Sequence, residues 1–349
     1  MPFFTEAVFE NAVLALFRDK LGYEYIYGPS IVRDRTEPLH IEQVQASLRA
    51  INPALPHEAL DEAIAKLRSI DSGSLVQKNE RFTDWLQNGV EVNYFDGTEQ
   101  CAARVRLVDY DTPLRNDFQV VNQCTVEQHS TKRADIVVFV NGFPLVVVEL
   151  KSPSRENTDV SHAYAQLRNY MLEIPSLFVY NAFCVMSDLA TSKAGTITAG
   201  EDRFMEWKPV DGTREDTRYC NYDVLFEGMF EKVRFIEMLR DFICFSKDER
   251  QSAKILAGYH LFYAVRKSID STLRATESDG KGGVFWHTQG SGKSLSMAFF
   301  AERLQTVLAS PTIVVLTDRN DLDNQLYRQF SRCADFLRQM PVQAEAAQI

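Results

Sequence analysis

An α/β fold in two successive parts is what the 349-residue sequence predicts: a domain on a mixed central sheet, then a partial phosphate-loop lobe. Three observations predict it. ADIVVFVNGFPLVVVELKS, Ala134 to Ser152, reads as two strands about an Asn-Gly turn, because β-branched side chains suit the pleat and Asn-Gly tolerates positive φ. GGVFWHTQGSGKSLSMAFFAERL, Gly282 to Leu304, passes from a short apolar strand through a Gly-rich loop into a helix. With 45% hydrophobic and 25% charged residues, the chain has an ordinary globular composition and is long enough for two domains.

Taken in order, Thr5 to Leu21 is expected to be an amphipathic helix, capped by Thr5, with Val8, Ala12, Leu16 and Phe17 at helical spacing and Gly22 as its stop. Helices follow at Ile41 to Ala50, Glu58 to Ile70 and Ser74 to Asn88, the last closed by Gly89. Strands are expected at Val90 to Phe95, turning at Asp96-Gly97, then at Ala103 to Tyr110 and Phe118 to Glu127, leading into the Ala134 hairpin. After Pro153 comes a helix from about Val160 to Leu172, a buried strand at Leu177 to Ser187 and a ribbon at Thr196 to Lys208. The charged stretch Pro209 to Asn221 has no apolar period and makes the domain boundary. The expected division is therefore 1–210, connecting helices in 211–250, and the phosphate-loop lobe in 251–349. Tyr222 to Phe245 and Gln251 to Ser271 read as helices, and Thr312 to Asp318 as a buried parallel strand following the loop helix.

Composition excludes some classes of function. There is no run of 18 or more apolar residues and no basic lead before the acids of MPFFTEAVFEN, so neither a membrane span nor a signal peptide is expected. Six scattered cysteines without a Cys-x-x-Cys pair read as free thiols in a reducing cytoplasm, not as a zinc site. A net charge of −10 argues against a protein that coats DNA unaided.

The chemistry-bearing residues of the first part are Asp135, Glu149 and Lys151. Glu149 and Lys151 share a strand face because they are two apart. Asp135 joins them only in some registers: an unbroken two-residue Asn-Gly loop pairs Val140 with Phe143 and sends Glu149 to the other face, whereas a three- or five-residue loop, or one β-bulge, pairs Asp135 with Glu149. Two carboxylates and an ammonium make an oxygen-lined site suited to Mg²⁺ and phosphodiester hydrolysis, although the same pattern also reads as strand-end solvation. Gln166 and Tyr170, four apart, fall on one helix face above that strand. Glu6 or Glu10 could face the same site; the reading favoured here is that they complement the helix dipole.

In the second part, Thr288, Gln289, Gly290, Ser291, Gly292, Lys293 and Ser294 form a phosphate cradle, with glycines that admit backbone N–H groups, a lysine charge and a hydroxyl for Mg²⁺ at Ser294. His287 stands where the common pattern has its first glycine. Asp318 mimics a Mg²⁺-holding acid but lies on the first strand after the loop and is discounted.

Together the ADIV…VVELKSP hairpin, QLRNY, AGYHLFYAVRK, GGVFWHTQGSGKSLSM and IVVLTDRNDLDNQL resemble the restriction (R) subunit of type I restriction-modification enzymes over nearly the whole chain. The resemblance implies a PD-(D/E)xK nuclease of the RecB-like branch, fused to a superfamily 2 translocase of which only part of the first RecA-like lobe is present. It implies that Asp135 and Glu149 hold Mg²⁺, Lys151 activates the attack, Gln166 and Tyr170 orient the site or the DNA, and Lys293 and Ser294 bind ATP-Mg²⁺. Leu261 stands near where related chains often carry an adenine-reading glutamine. The implied activity is ATP-dependent endonucleolytic DNA cleavage in a bacterial or archaeal cytoplasm, with methylation and specificity subunits as partners; a chain truncated in its motor is not expected to hydrolyse ATP efficiently alone. A repair-type helicase-nuclease, or a nucleotide-gated interaction module with an inert nuclease core, are the alternatives.

Overall fold

Thr5 starts the first helix as its residue type predicts: its hydroxyl accepts from the Val8 N–H at 3.4 Å, and α1 (Glu6–Ala15) passes into a wider π turn, Leu16–Lys20, before Gly22 turns away with φ 70°. The computed structural model describes residues 5–95, 97–151, 160–218, 222–248, 251–309, 311–318 and 320–343, so Asp96 of the expected turn, Ser152 and Pro153 after the expected hairpin, and residues 344–349 lie outside the described residues. The buried face of α1 and its π turn is Phe9, Val13, Leu14 and Phe17, not the expected Val8, which is 47% exposed. An inward Phe9 removes more apolar surface from water than Val8 could.

The first compact unit, Met1–Arg240, is built on one large sheet. Its elements in order are β1 (Glu24–Tyr27), α2 (Ile41–Ile51), α3 (His57–Arg68), α4 (Leu75–Asn88), β2 (Val90–Phe95), β3 (Gln100–Val105), β4 (Phe118–Glu127), β5 (Thr131–Val140), β6 (Phe143–Leu150), α5 (Val160–Glu173), α6 (Pro175–Val179), β7 (Phe183–Ser187), β8 (Ser192–Gly195), β9 (Met205–Glu206), α7 (Tyr222–Phe230) and α8 (Lys232–Asp241). The sheet order is β1-β4-β5-β6-β7-β8-β9, with β1–β4 and β6–β7 parallel and the other neighbours antiparallel: a mixed sheet.

Four expectations need correction in this unit. The β2–β3 hairpin is a separate sheet and does not lead into the central one. Its second strand stops at Val105 instead of reaching Tyr110, because side chains satisfy the backbone beyond it: the Arg106 N–H donates to Asn52 Oδ1, and the Leu107 carbonyl accepts from Asn141 Nδ2, each at 2.9 Å. Leu177 to Ser187 is half helix, since Pro175 opens α6 and only Phe183 onward pairs with β6. The Thr196 to Lys208 ribbon is reduced to the short β9 and a 3-10 turn.

Every residue of β6 is buried, which explains its near-continuous apolar run. On one face Val137, Phe139, Val147 and Cys184 pack against Ala163, Leu167 and Tyr170 of α5. On the other, Phe183 meets Phe230 of α7 at 5.8 Å and Phe235 of α8 at 6.0 Å between ring centroids.

The second unit, Asp241–Ile349, holds β10 (Ile243–Lys247), β11 (Ser252–Leu256), α9 (Tyr259–Thr276), α10 (Lys293–Val307), α11 (Asn320–Arg332) and α12 (Ala334–Leu337). Where helices were expected at Ile243 to Phe245 and at Ser252 to Leu256, an antiparallel hairpin forms, closed by Asp248 N–H to the Gln251 carbonyl at 3.0 Å. Phe242 anchors the unit's core against Phe262 at 4.4 Å and Phe299 at 5.7 Å, and the buried Asp241 carboxylate pairs with Arg303 at 2.8 Å. Neither Gly282 to Trp286 nor Thr312 to Asp318 is a strand, and neither is buried as expected: Val284 is 95%, Trp286 77%, Val314 74% and Leu316 79% exposed. A strand is a ladder, and among the described residues these apolar runs have no ladder partner.

Candidate functional site

The register of β5 and β6 decides whether the acids meet. Asn141 and Gly142 take φ of 53° and 81°, so the turn is the short one, pairing Val140 with Phe143. Left unbroken, that pairing would separate Asp135 from Glu149. It is broken by a bulge: Phe139 pairs with Pro144 but Val138 with Val146, which leaves Leu145 as the extra residue of β6. Pro144 has no N–H to give the ladder, and the Leu145 carbonyl instead accepts from the Ala182 N–H at 2.7 Å. Beyond the bulge Ile136 faces Val148; the same register carried one step further sets Asp135 opposite Glu149 on one side of the sheet, and the Asp135 charge acts on Glu149.

Lys151 follows at the strand end, where its N–H donates to the Ser187 carbonyl of β7 at 2.8 Å. Its ammonium donates to Glu149 Oε1 at 2.6 Å and to Gln166 Oε1 at 2.9 Å. The chain of contacts continues: Gln166 Nε2 donates to the Tyr170 hydroxyl at 2.6 Å, and that hydroxyl donates to the Arg133 carbonyl at 2.9 Å. Asp135 Oδ2 accepts from the Leu150 N–H at 2.8 Å. The fold thus gathers Asp135, Glu149, Lys151, Gln166 and Tyr170 at one place.

Burial sets the electrostatics of this cluster. Glu149, fully buried, has its carboxyl pushed up to about 8, first by desolvation and then by Asp135, effects that outweigh the adjacent Lys151 charge. Desolvation likewise raises Asp135 to about 6, against the lowering effects of the Leu150 N–H and Lys151. The Tyr170 phenol is raised above its usual range by burial and by Glu149. Glu149 Oε2 is buried without a hydrogen-bond partner. An orphaned carboxylate oxygen beside a second hard acid fits a divalent cation, which would relieve the mutual repulsion. Among the described residues no group of three or more His, Cys, Asp or Glu is gathered, so a Mg²⁺ held here would complete its shell with water, as that ion commonly does.

The sequence did not single out Asn122 and Gln123, which lie on β4 beside this cluster; a polar pair inside a strand run carries no turn or motif signal. Glu10 accepts from Asn122 Nδ2 at 2.7 Å and Gln123 Nε2 at 2.8 Å, and both Glu6 and Glu10 act to raise Asp135. The dipole reading of these glutamates is therefore incomplete: Glu10 lies beyond the first turn, and both charges are felt at the acidic pair.

In the second unit the Gly-rich loop turns at Gly290 and Gly292, with φ 82° and 85°, and α10 begins directly at Lys293. Thr288, Gln289 and Gly290 are exposed, and the Ser291 hydroxyl donates to the Thr288 carbonyl at 2.8 Å. Lys293 Nζ bends back to the His287 carbonyl at 2.9 Å, so the ammonium lies over the loop, and Ser294 follows in the first helical turn. Leu261 lies against Gly292, where an added Cβ would stand 3.5 Å from its Cδ1. Free N–H groups at a helix start beside a lysine suit a phosphate.

Residues 3–203 match the family described as Type I restriction enzyme R protein N terminus. The chain belongs to that family. Residues 260–348 of this R-protein chain match the SWI2/SNF2 ATPase family. It is 39% identical over 343 residues to the Type I restriction enzyme HindI endonuclease subunit of Haemophilus influenzae, covering 93% of this chain and 32% of that protein. It is 32% identical over 358 residues to the MjaIXP endonuclease subunit of Methanocaldococcus jannaschii, covering 93% of this chain and 34% of that one. A Staphylococcus aureus relative, the Type I restriction enzyme SauMSSORF170P endonuclease subunit, is 25% identical over 338 residues, with 96% and 34% covered. The R-protein chain therefore spans about a third of the length of these relatives. No helix among the described residues is long and apolar enough to cross a membrane.

Proposed function

We propose that the first unit is a PD-(D/E)xK nuclease of the RecB-like branch and the second a partial RecA-like lobe, together serving Mg²⁺-dependent DNA cleavage coupled to ATP-driven translocation in a type I restriction enzyme. The observation that carries the reading is the bulged register that sets Asp135 opposite Glu149, with Lys151 on the same face at 2.6 Å from Glu149. Asp135 and Glu149 are the residues that would hold Mg²⁺, and the ion would supply Lewis acidity toward a phosphodiester oxygen. Lys151, bonded to both Glu149 and Gln166, is held at the mouth of the acidic pair, where it can orient the attacking water and stabilise charge on the phosphate. Tyr170 and Gln166 fix that ammonium by a relay ending on the Arg133 backbone. In the second unit Thr288 to Ser294 would hold ATP-Mg²⁺, with Lys293 on the phosphates and the Ser294 hydroxyl toward the metal.

Double-stranded DNA is the substrate this chemistry addresses. The charge of −10 fits a subunit that borrows its grip on DNA from methylation and specificity partners in the cytoplasm. The test uses the complete restriction enzyme and a methylatable plasmid target. Glu149→Ala and Lys151→Ala are each expected to lower Mg²⁺-dependent cleavage by about 10²-fold or more while ATP turnover persists. Undiminished cutting by both variants would overturn the nuclease assignment.

A further inference from the structure

The ladder between β4 and β5 has a gap beside the acidic pair. Asn122 pairs with Ile136 and Cys124 with Ala134, but Gln123, the residue that should face Asp135, is left out with φ 50°. A left-handed glutamine inside a strand is strained and persists only where its surroundings hold it.

The restraints on this kink are specific. The Glu10 carboxylate accepts from the Gln123 amide at 2.8 Å and from the Asn122 amide at 2.7 Å, and the Tyr25 hydroxyl donates to Asn122 Oδ1 at 3.2 Å. Gly28 presses on the same backbone: a Cβ there would stand 2.3 Å from the Asn122 carbonyl oxygen and 2.9 Å from that of Gln123. Both oxygens of Glu10 are engaged by these amides, and α1 is thereby tied to the kink. Left out of the β4 ladder, Asp135 turns its carboxylate to the Leu150 N–H, beside Glu149 and Lys151.

We propose that Glu10 is a positioning residue for the acidic pair: it clamps the left-handed kink at Gln123 and so keeps Asp135 out of the β4 ladder and turned toward Glu149. The proposal rests on the nuclease reading for its consequence, not for its geometry. In the complete enzyme, Glu10→Ala is expected to raise the Mg²⁺ concentration for half-maximal cleavage by about tenfold while KM for DNA holds. It is also expected to speed amide exchange at Cys124 and Ala134. Adding Gln123→Gly to Glu10→Ala is expected to restore both, because glycine takes positive φ without a clamp.

Glu10→Gln, of equal size but with one acceptor oxygen, guards against a folding defect and is expected to show the same exchange change in smaller measure. Two outcomes overturn the proposal: Glu10 variants that match wild type in Mg²⁺ requirement and exchange, or a loss that Gln123→Gly leaves unrescued, which would assign Glu10 to the reaction itself. If Glu149→Ala and Lys151→Ala both cut normally, the nuclease reading fails separately, and the exchange measurements still decide the clamp.

Discussion

Glu149 is a residue whose burial works against its own ionisation. Its carboxyl is raised to about 8 and that of Asp135 to about 6, so both bind protons more tightly in the folded chain than in the unfolded one. Their contribution to stability is therefore fully present below the ordinary carboxyl range and is lost as pH rises through those two values. In chelator, the thermal midpoint is expected to fall between about pH 5 and about pH 8, and Glu149→Gln should flatten that slope and raise the midpoint at the alkaline end. Millimolar Mg²⁺ at the alkaline end should recover the wild type but not the variant, since a ligand that binds only the folded state stabilises it. A scan of midpoint against pH, with and without the ion, checks all of this. A flat wild-type profile would show that the pair is not buried as described.

At the scale of the element, the β5–β6 hairpin combines a tight turn with a compensating bulge. Gly142 sits at φ 81°, and a Cβ there would lie 2.7 Å from the His40 carbonyl and the Val44 N–H, so the turn is locked against the start of α2. Gly142→Ala is expected to cost at least about 1 kcal/mol in urea unfolding, from the strained φ together with this collision. His40 shares the environment: it stacks on Phe139 at 3.9 Å, and burial pushes its imidazole down to about 4, so it stays neutral in the core. α5 is tied down independently, with Arg168 donating to the Ile197 carbonyl at 2.8 Å and Tyr164 to that of Ala199 at 3.2 Å, which fixes the helix bearing Gln166 and Tyr170.

Across the whole molecule, the acidic cluster lies in one compact unit and the Gly-rich loop in the other. Their functions are expected to separate by mutation. Lys293→Ala should abolish nucleotide binding, read with a fluorescent ATP analogue, and stop translocation in the complete enzyme, while the pH profile of the first unit's unfolding stays as in wild type. Nucleotide binding that survives this change would remove the loop from the ATP site.

Much was legible in the sequence because it depends on local rules. The helix from Ser74 to Asn88 with Gly89 as its stop formed as expected, opened by a Ser74–Gln77 capping box, and a turn at Asn141-Gly142 was expected, its two-residue length left to the structure. The spacing of Glu149 and Lys151, and of Gln166 and Tyr170, fixed which pairs share a face. What tertiary structure alone decided was everything set by a neighbouring strand. The bulge at Leu145 brings Asp135 to Glu149, and it goes with a Pro144 that has no N–H and a Leu145 carbonyl taken by the Ala182 N–H. The left-handed Gln123 depends on Glu10, more than a hundred residues away in the chain. Likewise Gly282 to Trp286 and Thr312 to Asp318 read as strands from their apolar runs, yet they form none among the described residues. Side-chain periodicity states which face of an element is apolar, whereas register and pairing are settled by hydrogen bonds to segments that lie elsewhere in the sequence.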